Sequence, residues 1–482
     1  LTSLTELDLS GNQIADLTPL AGLTNLTHLG LSQNEIVDIG PLVGLPNLTE
    51  LDLGWNPLGQ DALCDDIPAL EARGVRIEYN GTCCAGSEVV TFADENLARG
   101  ICDALERPYG SICQEELDAL TSLHASGGIQ DLSGIEYCTN LAYLDLSWNE
   151  IQDVSALANL TSLTELDLSG NQIADLTPLA ALVGLASLNL YGNQIVDVTS
   201  LAGLTNLTNL NLTYNQVVDI SPLAGLRGLT VLGIEANQVV NLGPLAGLTN
   251  LTRLYLYGNQ IVDVGPLAGL SNLTQLRLSY NQIVDSSSLA DMSNLTWLVL
   301  SYNPGLDVSG LAGLTDLTWL SLDGIQIADL SPLAGLVNLT TLWLDDNKIV
   351  DVGPLAGLTK LTTLSLGANQ IADVHPLAAL TNLTYLDLGG FWYGGEAAGN
   401  CIADVGPLAG LTNLTWLYLS RNQIVDVTAL AGLTNLTSLY LSRNQIVDVT
   451  ALAGLTNLTS LYLSRNQIVD LAPLAGLANL TG

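Results

Sequence analysis

Residues 411–432 read LTNLTWLYLSRNQIVDVTALAG, and residues 433–454 repeat them with one change, Trp416 against Ser438. Leucine, isoleucine and asparagine return at the same offsets in each repeat, along nearly the whole chain. A fixed period of this length is typical of a solenoid, in which each unit buries its apolar face against its neighbours. The repeat therefore predicts stacked units with one long surface, and surfaces of this kind usually bind a partner.

The first repeat, residues 1–22, shows the strand and the turn of one unit. Leu7 and Leu9 alternate with polar residues, so this segment predicts a short strand with its leucines inward. Asn12 follows at the turn, where its side chain can bond backbone groups of the turn and of the next repeat. Stacking the repeats predicts one parallel sheet and, beside it, a ladder of asparagines.

The second half of the repeat predicts a single helical turn. Thr18 suits an N-cap, Pro19 the first helical position and Gly22 the exit, and only about one turn fits between them. We expect short 3₁₀ turns on the side opposite the sheet. Asp16 begins a column of aspartates, and we expect each to bond backbone N–H groups of its own turn rather than calcium.

The pattern LxxLxLxxNxIxDxxxLxxL in 22-residue steps resembles the bacterial leucine-rich repeats of the internalin type. The resemblance covers nearly the whole chain. It implies a curved, right-handed α/β solenoid, the leucine-rich repeat horseshoe, with a parallel β-sheet on the concave face, short 3₁₀ turns on the convex face and helical caps. For that family it also implies protein binding at the cell surface.

The asparagine ladder stops after Asn56 and resumes at Asn149, so the chain contains two arrays. Residues 57–79 predict a helix and a short strand, as expected of a cap over the last apolar edge of an array. Small polar residues follow, and then two short amphipathic helices. The predicted domains are the end of a first array with its cap (1–80), a linker (81–88), a helical N-cap (89–119) and a second array (120–482) with an insertion (391–399).

Composition narrows the classes of partner. The chain has 48 acidic and 12 basic residues, a net charge of −36, and nucleic-acid binding needs basic patches, so we expect no nucleic-acid partner. No stretch reaches the ~18 unbroken apolar residues of a membrane helix, so we expect no membrane insertion of this segment. The chain begins and ends inside repeats, so we expect it to be part of a larger protein.

The residues that flank the inward leucines form four columns on the predicted concave face, and the tryptophans avoid both the core and the turns. Exposed aromatic and arginine side chains have the composition of a binding hot spot, although aromatic residues also simply suit β-sheets. The insertion around Trp392 could be a lip that touches a ligand, or a loop folded over the rim. The predicted partner-binding residues are Arg253, Tyr255, Tyr257, Arg277, Tyr280, Trp297, Tyr302, Trp319, Trp343, Tyr385, Trp392, Trp416 and Tyr418.

Six of the seven cysteines lie between residues 64 and 138, around the caps. Cys102 and Cys113 could pair. Cys83 and Cys84 could each bond with Cys64, or with a cysteine that neighbours the other one. Cys138 occupies an apolar repeat position and is expected to be a buried thiol. Because no metal-ligand spacing, catalytic constellation or cofactor motif is visible, we expect no metal site, no cofactor and no enzymatic activity.

The sequence thus favours a non-enzymatic module that binds a protein on its concave sheet, within a larger bacterial surface or secreted protein. Two alternatives stay open. Trp297, Trp319 and Trp343 could stack on sugar rings of a glycan, or the chain could be an intracellular scaffold that regulates an enzyme.

Overall fold

The structure is a computed structural model that describes residues 3–84, 87–106, 112–390, 392–393, 396–397 and 399–481. Of residues 392–393 and 396–397 only the backbone is described. The chain divides into two compact units, residues 1–216 and residues 217–482.

Unit 1 contains a four-stranded parallel sheet, β1 to β4, a two-stranded antiparallel pair, β5 with β6, and five parallel strands, β7 to β11. Successive strands pair without a shift, so Leu7 lies opposite Leu29 and Leu29 opposite Leu51. The strands are β1 Glu6–Asp8, β2 His28–Gly30, β3 Glu50–Asp52, β4 Arg76–Glu78, β5 Val89–Val90, β6 Ile112–Cys113, β7 Ser122–His124, β8 Tyr143–Asp145, β9 Glu165–Asp167, β10 Ser187–Asn189 and β11 Asn209–Asn211.

Helices in unit 1 are short and concentrate where the repeat pattern is interrupted. A π-helical turn, Ala62–Asp66, leads into a helix that precedes β4, and the longest helix, of ten residues, begins after Asp94, whose side chain accepts bonds from Asn96 N and Leu97 N. The α-helices are α1 Gly40–Val43, α2 Ile67–Glu71, α3 Glu95–Ala104 and α4 Gln114–Asp118. The 3₁₀ turns are Thr18–Leu20, Ile135–Tyr137, Ser155–Leu157, Thr177–Ala181 and Thr199–Gly203.

Two disulfides, Cys64–Cys83 and Cys84–Cys113, secure the segment between the two sheets of unit 1. The predicted Cys102–Cys113 pair is therefore wrong. Cys113 lies on β6 and meets Cys84, whereas Cys102 is fully buried on α3 and belongs to neither disulfide. The adjacent cysteines 83 and 84 bond in opposite directions, one back to the cap helix region and one forward to β6. As predicted, Cys138 is a buried thiol, and burial raises its pKa to about 12.

Unit 2 continues the same repeat with eleven parallel strands and an antiparallel hairpin, β20 with β21, in the insertion. The paired positions are again in register, as in Trp297 opposite Trp319 and Leu298 opposite Leu320. The strands are β12 Val231–Gly233, β13 Arg253–Tyr255, β14 Gln275–Arg277, β15 Trp297–Val299, β16 Trp319–Ser321, β17 Thr341–Trp343, β18 Thr363–Ser365, β19 Tyr385–Asp387, β20 Trp392–Tyr393, β21 Glu396–Ala397, β22 Trp416–Tyr418, β23 Ser438–Tyr440 and β24 Ser460–Tyr462.

Each repeat of unit 2 returns to the sheet through one 3₁₀ turn, which confirms the prediction of short turns instead of full helices. The turns are Ser221–Gly225, Gly243–Leu245, Gly265–Leu267, Ser287–Leu289, Ser309–Leu311, Ser331–Leu333, Gly353–Gly357, His375–Ala379, Gly406–Gly410, Thr428–Gly432, Thr450–Gly454 and Ala472–Gly476. Among the described residues no helix has the length and apolar character that a membrane span requires.

The core of both units consists of the inward leucines and of the predicted asparagine ladder. Asn34 Nδ2 donates to Leu31 O of its own turn and to Leu9 O of the preceding repeat, both at 3.0 Å, and its Oδ1 accepts from Ile14 N at 3.0 Å. The amide thus bonds the preceding repeat, whereas the sequence predicted bonds to the next one. The ladder satisfies buried backbone groups such as Ile14 N. At the ladder's interruption Ile325 is fully buried instead.

The aspartate column behaves as predicted, because Asp16 Oδ1 accepts from Thr18 N at 2.8 Å and the same bond recurs at Asp426 with Thr428 N. The prediction of Thr18 as N-cap is wrong. Leu17 is the N-cap and provides no side-chain bond, so the aspartate two residues before the turn satisfies the N–H group instead.

Candidate functional site: the exposed sheet face

The strands of unit 2 present one apolar face to the core and one face to solvent, which we call the exposed sheet face. Each strand segment opens with a leucine, such as Leu295. The second, fourth, sixth and seventh residues after that leucine lie on this face. Across the repeats they form four columns, which we number one to four in that order. The third and fifth positions, Leu298 and Leu300, are fully buried. This alternation follows from the two-residue period of a β-strand, and it separates the residues that hold the fold from those that can meet a partner.

Trp297 and Trp319 form a stacked pair in column one of the exposed sheet face. They lie directly opposite each other on β15 and β16, with ring centroids 4.9 Å apart and ring planes inclined by 22°. Both side chains are half-buried. Stacking keeps the two rings in a fixed orientation, so a partner that packs on them meets a rigid apolar surface.

A second group lies in columns two to four around Arg277. The rings of Tyr257 and Tyr280 are 5.2 Å apart, and those of Tyr280 and Tyr302 are stacked at 4.3 Å. Arg277 lies over the Tyr257 ring at 4.8 Å and its Nη1 is 3.2 Å from Glu235 Oε1. Burial raises the pKa of Glu235 although Arg277 opposes the shift. The group combines aromatic, cationic and acidic side chains that are already positioned by one another.

A third group is a row of rings that runs from β17 to β24. Trp343 and Tyr385 are 5.8 Å apart, and Tyr385 and Tyr418 are 5.6 Å apart. Tyr440 and Tyr462 extend the row. The ring of Tyr440 is stacked 4.1 Å from that of Tyr418, and the ring of Tyr462 is stacked 4.6 Å from that of Tyr440. Burial raises the pKa of Tyr385 beyond the range of ordinary tyrosines, and the nearby carboxyl group of Asp387 adds to the shift.

Other predicted residues flank these three groups. Arg253 is exposed, and Tyr255 on the same strand donates from its hydroxyl to Gln275 Oε1 at 2.8 Å. Trp416 is 43% exposed, with its ring 6.4 Å from that of Tyr418. The side chain of Trp392 lies outside the described residues, so the predicted lip stays a prediction. The predicted residues therefore lie in three neighbouring groups rather than in one cluster.

Column four has an unusual backbone conformation that the repeat pattern does not reveal. Trp148, Tyr280, Tyr302 and Arg421 have positive φ angles of 57°, 55°, 58° and 60°. Their N–H groups donate along the sheet, as Tyr302 N does to Asp323 O at 2.7 Å. A left-handed conformation costs a residue other than glycine ~1–2 kcal/mol. Several repeats place glycine there, so a large ring or a guanidinium group at this position is energetically costly.

Sequence reasoning missed a row of buried and half-buried carboxyl groups, Asp323, Asp345 and Asp387, on the same strands as the aromatic rings. Asp345 Oδ1 accepts from Ser365 Oγ and from Gly367 N, both at 2.7 Å, and Asp323 Oδ1 accepts from Asp345 N at 2.9 Å. Burial raises the pKa of Asp345 to about 7 and that of Asp387 to about 6. The available signal was an acid in column two or three, as at Asp345 and Asp387.

Unit 1 carries its own aromatic row, which we did not predict as a group. The rings of Trp148 and Tyr191 are 6.3 Å apart, and those of Tyr191 and Tyr214 are 5.4 Å apart. Trp148 is 70% exposed. Aromatic side chains on the sheet face are thus a feature of both units, and the rows of unit 2 are more extensive.

Two histidine–aspartate pairs lie apart from the three groups. On β7 and β8 of unit 1, His124 Nδ1 is 2.8 Å from Asp145 Oδ2. Near a 3₁₀ turn of unit 2, His375 Nδ1 is 2.7 Å from Asp373 Oδ1, and both histidines are largely exposed. Within the described ranges, no group of three or more His, Cys, Asp or Glu side chains is arranged to hold a metal ion.

Comparison with known proteins agrees with this architecture. A family model described as "Leucine rich repeat" matches residues 2–58, 402–446 and 412–468. A second, "Leucine Rich repeats (2 copies)", matches residues 139–181, 161–203, 183–225, 249–291 and 315–357. Comparison with curated proteins gives no match.

Among solved structures, the chain is similar to an internalin, InlF, from Listeria monocytogenes, with 34% identity over 81% of this chain and 94% of that one and a TM-score of 0.50. The functional domain of InlJ from the same organism is 25% identical over 77% and 79%, with a TM-score of 0.62. A plant peptide hormone receptor, RGFR1 in complex with RGF2, shares the fold at 20% identity over 100% and 89%, with a TM-score of 0.56. The chain belongs to the leucine-rich repeat proteins of the internalin type.

Proposed function

We propose that the chain is a non-enzymatic binding module that holds a partner protein on the exposed sheet face of unit 2. The stacked pair Trp297–Trp319 is the observation that carries the proposal, because it places two large rings side by side in a fixed orientation. Trp, Tyr and Arg are the residues that dominate protein interfaces, and all three occur on this face. We also propose the domain boundaries that the sequence predicts, after residues 80, 88 and 119.

The tyrosines around Arg277 support a protein partner. Their rings and the guanidinium group are positioned by mutual contacts, so little side-chain entropy is lost on binding. A glycan partner, our second hypothesis, would stack sugar rings on tryptophan faces. In the Trp297–Trp319 stack each ring covers one face of the other. That arrangement leaves less ring face for sugars and therefore favours the protein.

We further propose an extracellular or cell-surface location as part of a larger bacterial protein. The two disulfides support this location, because disulfides persist in oxidising compartments and are rare in the cytosol. They argue against the intracellular scaffold, our third hypothesis. Thiol titration of protein purified without reductant tests the location, since reduction should release four additional thiols, two from each disulfide. Release of none would contradict it.

The binding proposal is tested with a displayed library of extracellular proteins, from which binders of the purified chain are selected. Each binder's affinity is then measured for wild type, for Trp297→Ala with Trp319→Ala, and for Trp55→Ala. Trp55 is a matched control because it is an exposed tryptophan on the other sheet. We expect the double variant to lose ~30-fold or more in affinity, since hot-spot residues contribute ~2 kcal/mol, and Trp55→Ala to bind normally. Binders with equal affinity for all three would overturn the proposal.

A further inference from the structure

The last three strands of unit 2 carry a row of arginines in column four, Arg421, Arg443 and Arg465. Arg421 N donates to Ser442 O and Arg443 N to Ser464 O, both at 2.8 Å, so the three residues follow each other on neighbouring strands. Parallel strands lie ~4.8 Å apart, so the row spans ~10 Å. Burial lowers the pKa of Arg421, and the positive charges of the other two arginines lower it further.

No acid balances these charges on the exposed sheet face of the same strands. Column one holds Trp416, Ser438 and Ser460, and columns two and three hold only tyrosines and serines. None of the ion pairs found in the described part of the chain includes the three arginines. A chain with 48 acidic and 12 basic residues thus has a locally cationic surface.

The acids of these repeats are engaged elsewhere. Asp426 and Asp448 each accept a backbone N–H bond at their own 3₁₀ turn, from Thr428 and Thr450, both at 2.8 Å. On the neighbouring strand Asp387 lies opposite Tyr418 and is buried, and its Oδ1 accepts from Gly389 N at 2.7 Å. Among the described side chains no acid pairs with the guanidinium groups, which are therefore available for an external anion.

The backbone at these arginines has the conformation that each repeat imposes after its strand. Their φ angles are 60°, 59° and 58°. The equivalent residues Ala236 and Ala368 have φ angles of 50° and 51°. The repeat therefore places the three guanidinium groups on neighbouring strands with the same backbone conformation.

The adjacent tyrosines indicate which kind of anion fits. The rings of Tyr418, Tyr440 and Tyr462 are stacked, with interplanar angles of 11° and 7°. Their faces cover one another, so the spaces between them cannot admit a sugar ring. A guanidinium group, in contrast, pairs with a carboxylate through two parallel hydrogen bonds. An extended peptide advances ~3.3 Å per residue and its successive side chains alternate in direction, so a segment of about four residues spans the ~10 Å row with two carboxylates facing it.

We propose that the face formed by these arginines and tyrosines binds a short acidic segment of a partner protein in an extended conformation. This inference rests on the proposed function, since it names the chemistry of one part of the partner. The remaining surface around Trp297 and Trp319 then contacts the rest of that protein.

The test measures binding of fluorescein-labelled octaglutamate to the whole chain by fluorescence anisotropy, with octalysine and a sulfated hexasaccharide as comparison probes. The variant is Arg421→Gln with Arg443→Gln and Arg465→Gln. The charge-matched control is Arg227→Gln with Lys348→Gln and Lys360→Gln, three exposed cations elsewhere in unit 2. Circular dichroism verifies that both variants fold.

We expect the arginine variant to bind octaglutamate ~10-fold or more weakly, because charge pairs at the contact are lost, and the control to stay within ~2-fold. Raising salt from about 50 to about 300 mM should weaken wild-type binding as screening increases. Equal losses in variant and control would overturn the proposal, and so would tight binding of the hexasaccharide without octaglutamate binding. The selected protein binders report on the proposed function and octaglutamate reports on the acidic site, so a failed proposed function is distinguishable from a failed acidic site.

Discussion

The two faces of the strands in unit 2 share a backbone but differ in how far their residues vary. On the inner face Leu298, Leu320 and Leu342 follow one another without change, and each is fully buried. On the exposed sheet face the paired positions read Gln275, Trp297, Trp319 and Thr341. The inner leucines must fit a closed core, whereas the exposed side chains contact their neighbours along the sheet and border solvent on the other side. The composition of the exposed sheet face is therefore free to serve binding.

The residues that hold the fold and the residues proposed to bind a partner thus occupy different columns of the same repeat. Inner-face substitutions should reduce stability wherever they occur, whereas exposed-face substitutions should change binding and leave stability nearly intact. Buried residues in columns two and three of the exposed sheet face, such as Asp345, Asp387 and Ser365, are exceptions. The following predictions test the separation, beginning with the largest expected effect.

Leu320→Ala should lower the free energy of unfolding by ~3 kcal/mol. The side chain is fully buried between identical leucines, and such truncations cost ~2–5 kcal/mol through lost burial and the cavity that remains. Urea unfolding followed by circular dichroism measures the loss. The matched substitution on the exposed sheet face, Thr341→Ala, should change stability by less than ~0.5 kcal/mol. Equal losses at both positions would break the comparison.

Asn281→Ala should lower the free energy of unfolding by ~2 kcal/mol. Its amide donates to Leu256 O and Leu278 O and accepts from Ile261 N, each at 3.0 Å, and all these groups are buried. Unsatisfied buried polar groups cost ~1–3 kcal/mol each, partly offset by water entry. The neighbouring exposed Gln282→Ala is the control and should have little effect in the same urea titration. A loss no larger than that of the control would show that the ladder is dispensable.

Asp345→Asn should raise stability by ~1 kcal/mol at pH 8 and have little effect at pH 5. Burial raises the pKa of Asp345 to about 7 in the folded chain, above the unfolded value near 4. Between about pH 4 and 7 the folded state therefore binds more protons than the unfolded state. The carboxyl group's contribution to the free energy of unfolding declines as pH rises through that window. The asparagine removes this dependence and keeps an acceptor for Gly367 N.

Thermal unfolding at the two pH values measures the Asp345→Asn effect, and the adjacent, exposed Asp346→Asn is its control. Stabilisation of Asp345→Asn that is the same at pH 5 and pH 8, or stabilisation by Asp346→Asn at pH 8, would contradict the assignment of the pH dependence to the buried carboxyl group.

Arg443→Gly should raise the free energy of unfolding by at most ~1 kcal/mol, because glycine accepts the left-handed conformation without strain but gains more entropy on unfolding. The reverse change, Gly258→Arg, creates no clash at the Cβ, which would lie in ordinary contact with Ala236 at 3.6 Å, and should destabilise by a similar amount. Differential scanning calorimetry measures both. A clear destabilisation by Arg443→Gly would mean that the arginine contributes to the fold rather than to binding.

The repeat pattern predicted the sheet, the 3₁₀ turns, the asparagine ladder and the aspartate bonds, because each arises within a repeat or between adjacent repeats. The features it did not predict depend on contacts that the period does not encode. Cys113 pairs with Cys84 because β5 and β6 bring the linker to the cap, which cysteine spacings alone cannot show. The positive φ of Tyr302 and the burial of Asp345 depend on the path of the backbone after each strand.

The central claim is that binding occurs on the exposed sheet face of unit 2, and hydroxyl-radical footprinting with a selected protein binder tests it directly. The binder should protect Trp297, Trp319 and Tyr302 from oxidation by several-fold and leave residues near the 3₁₀ turns, such as Val337, unchanged. Protection at the turns, with the two tryptophans oxidised equally in the free and bound chain, would contradict the claim.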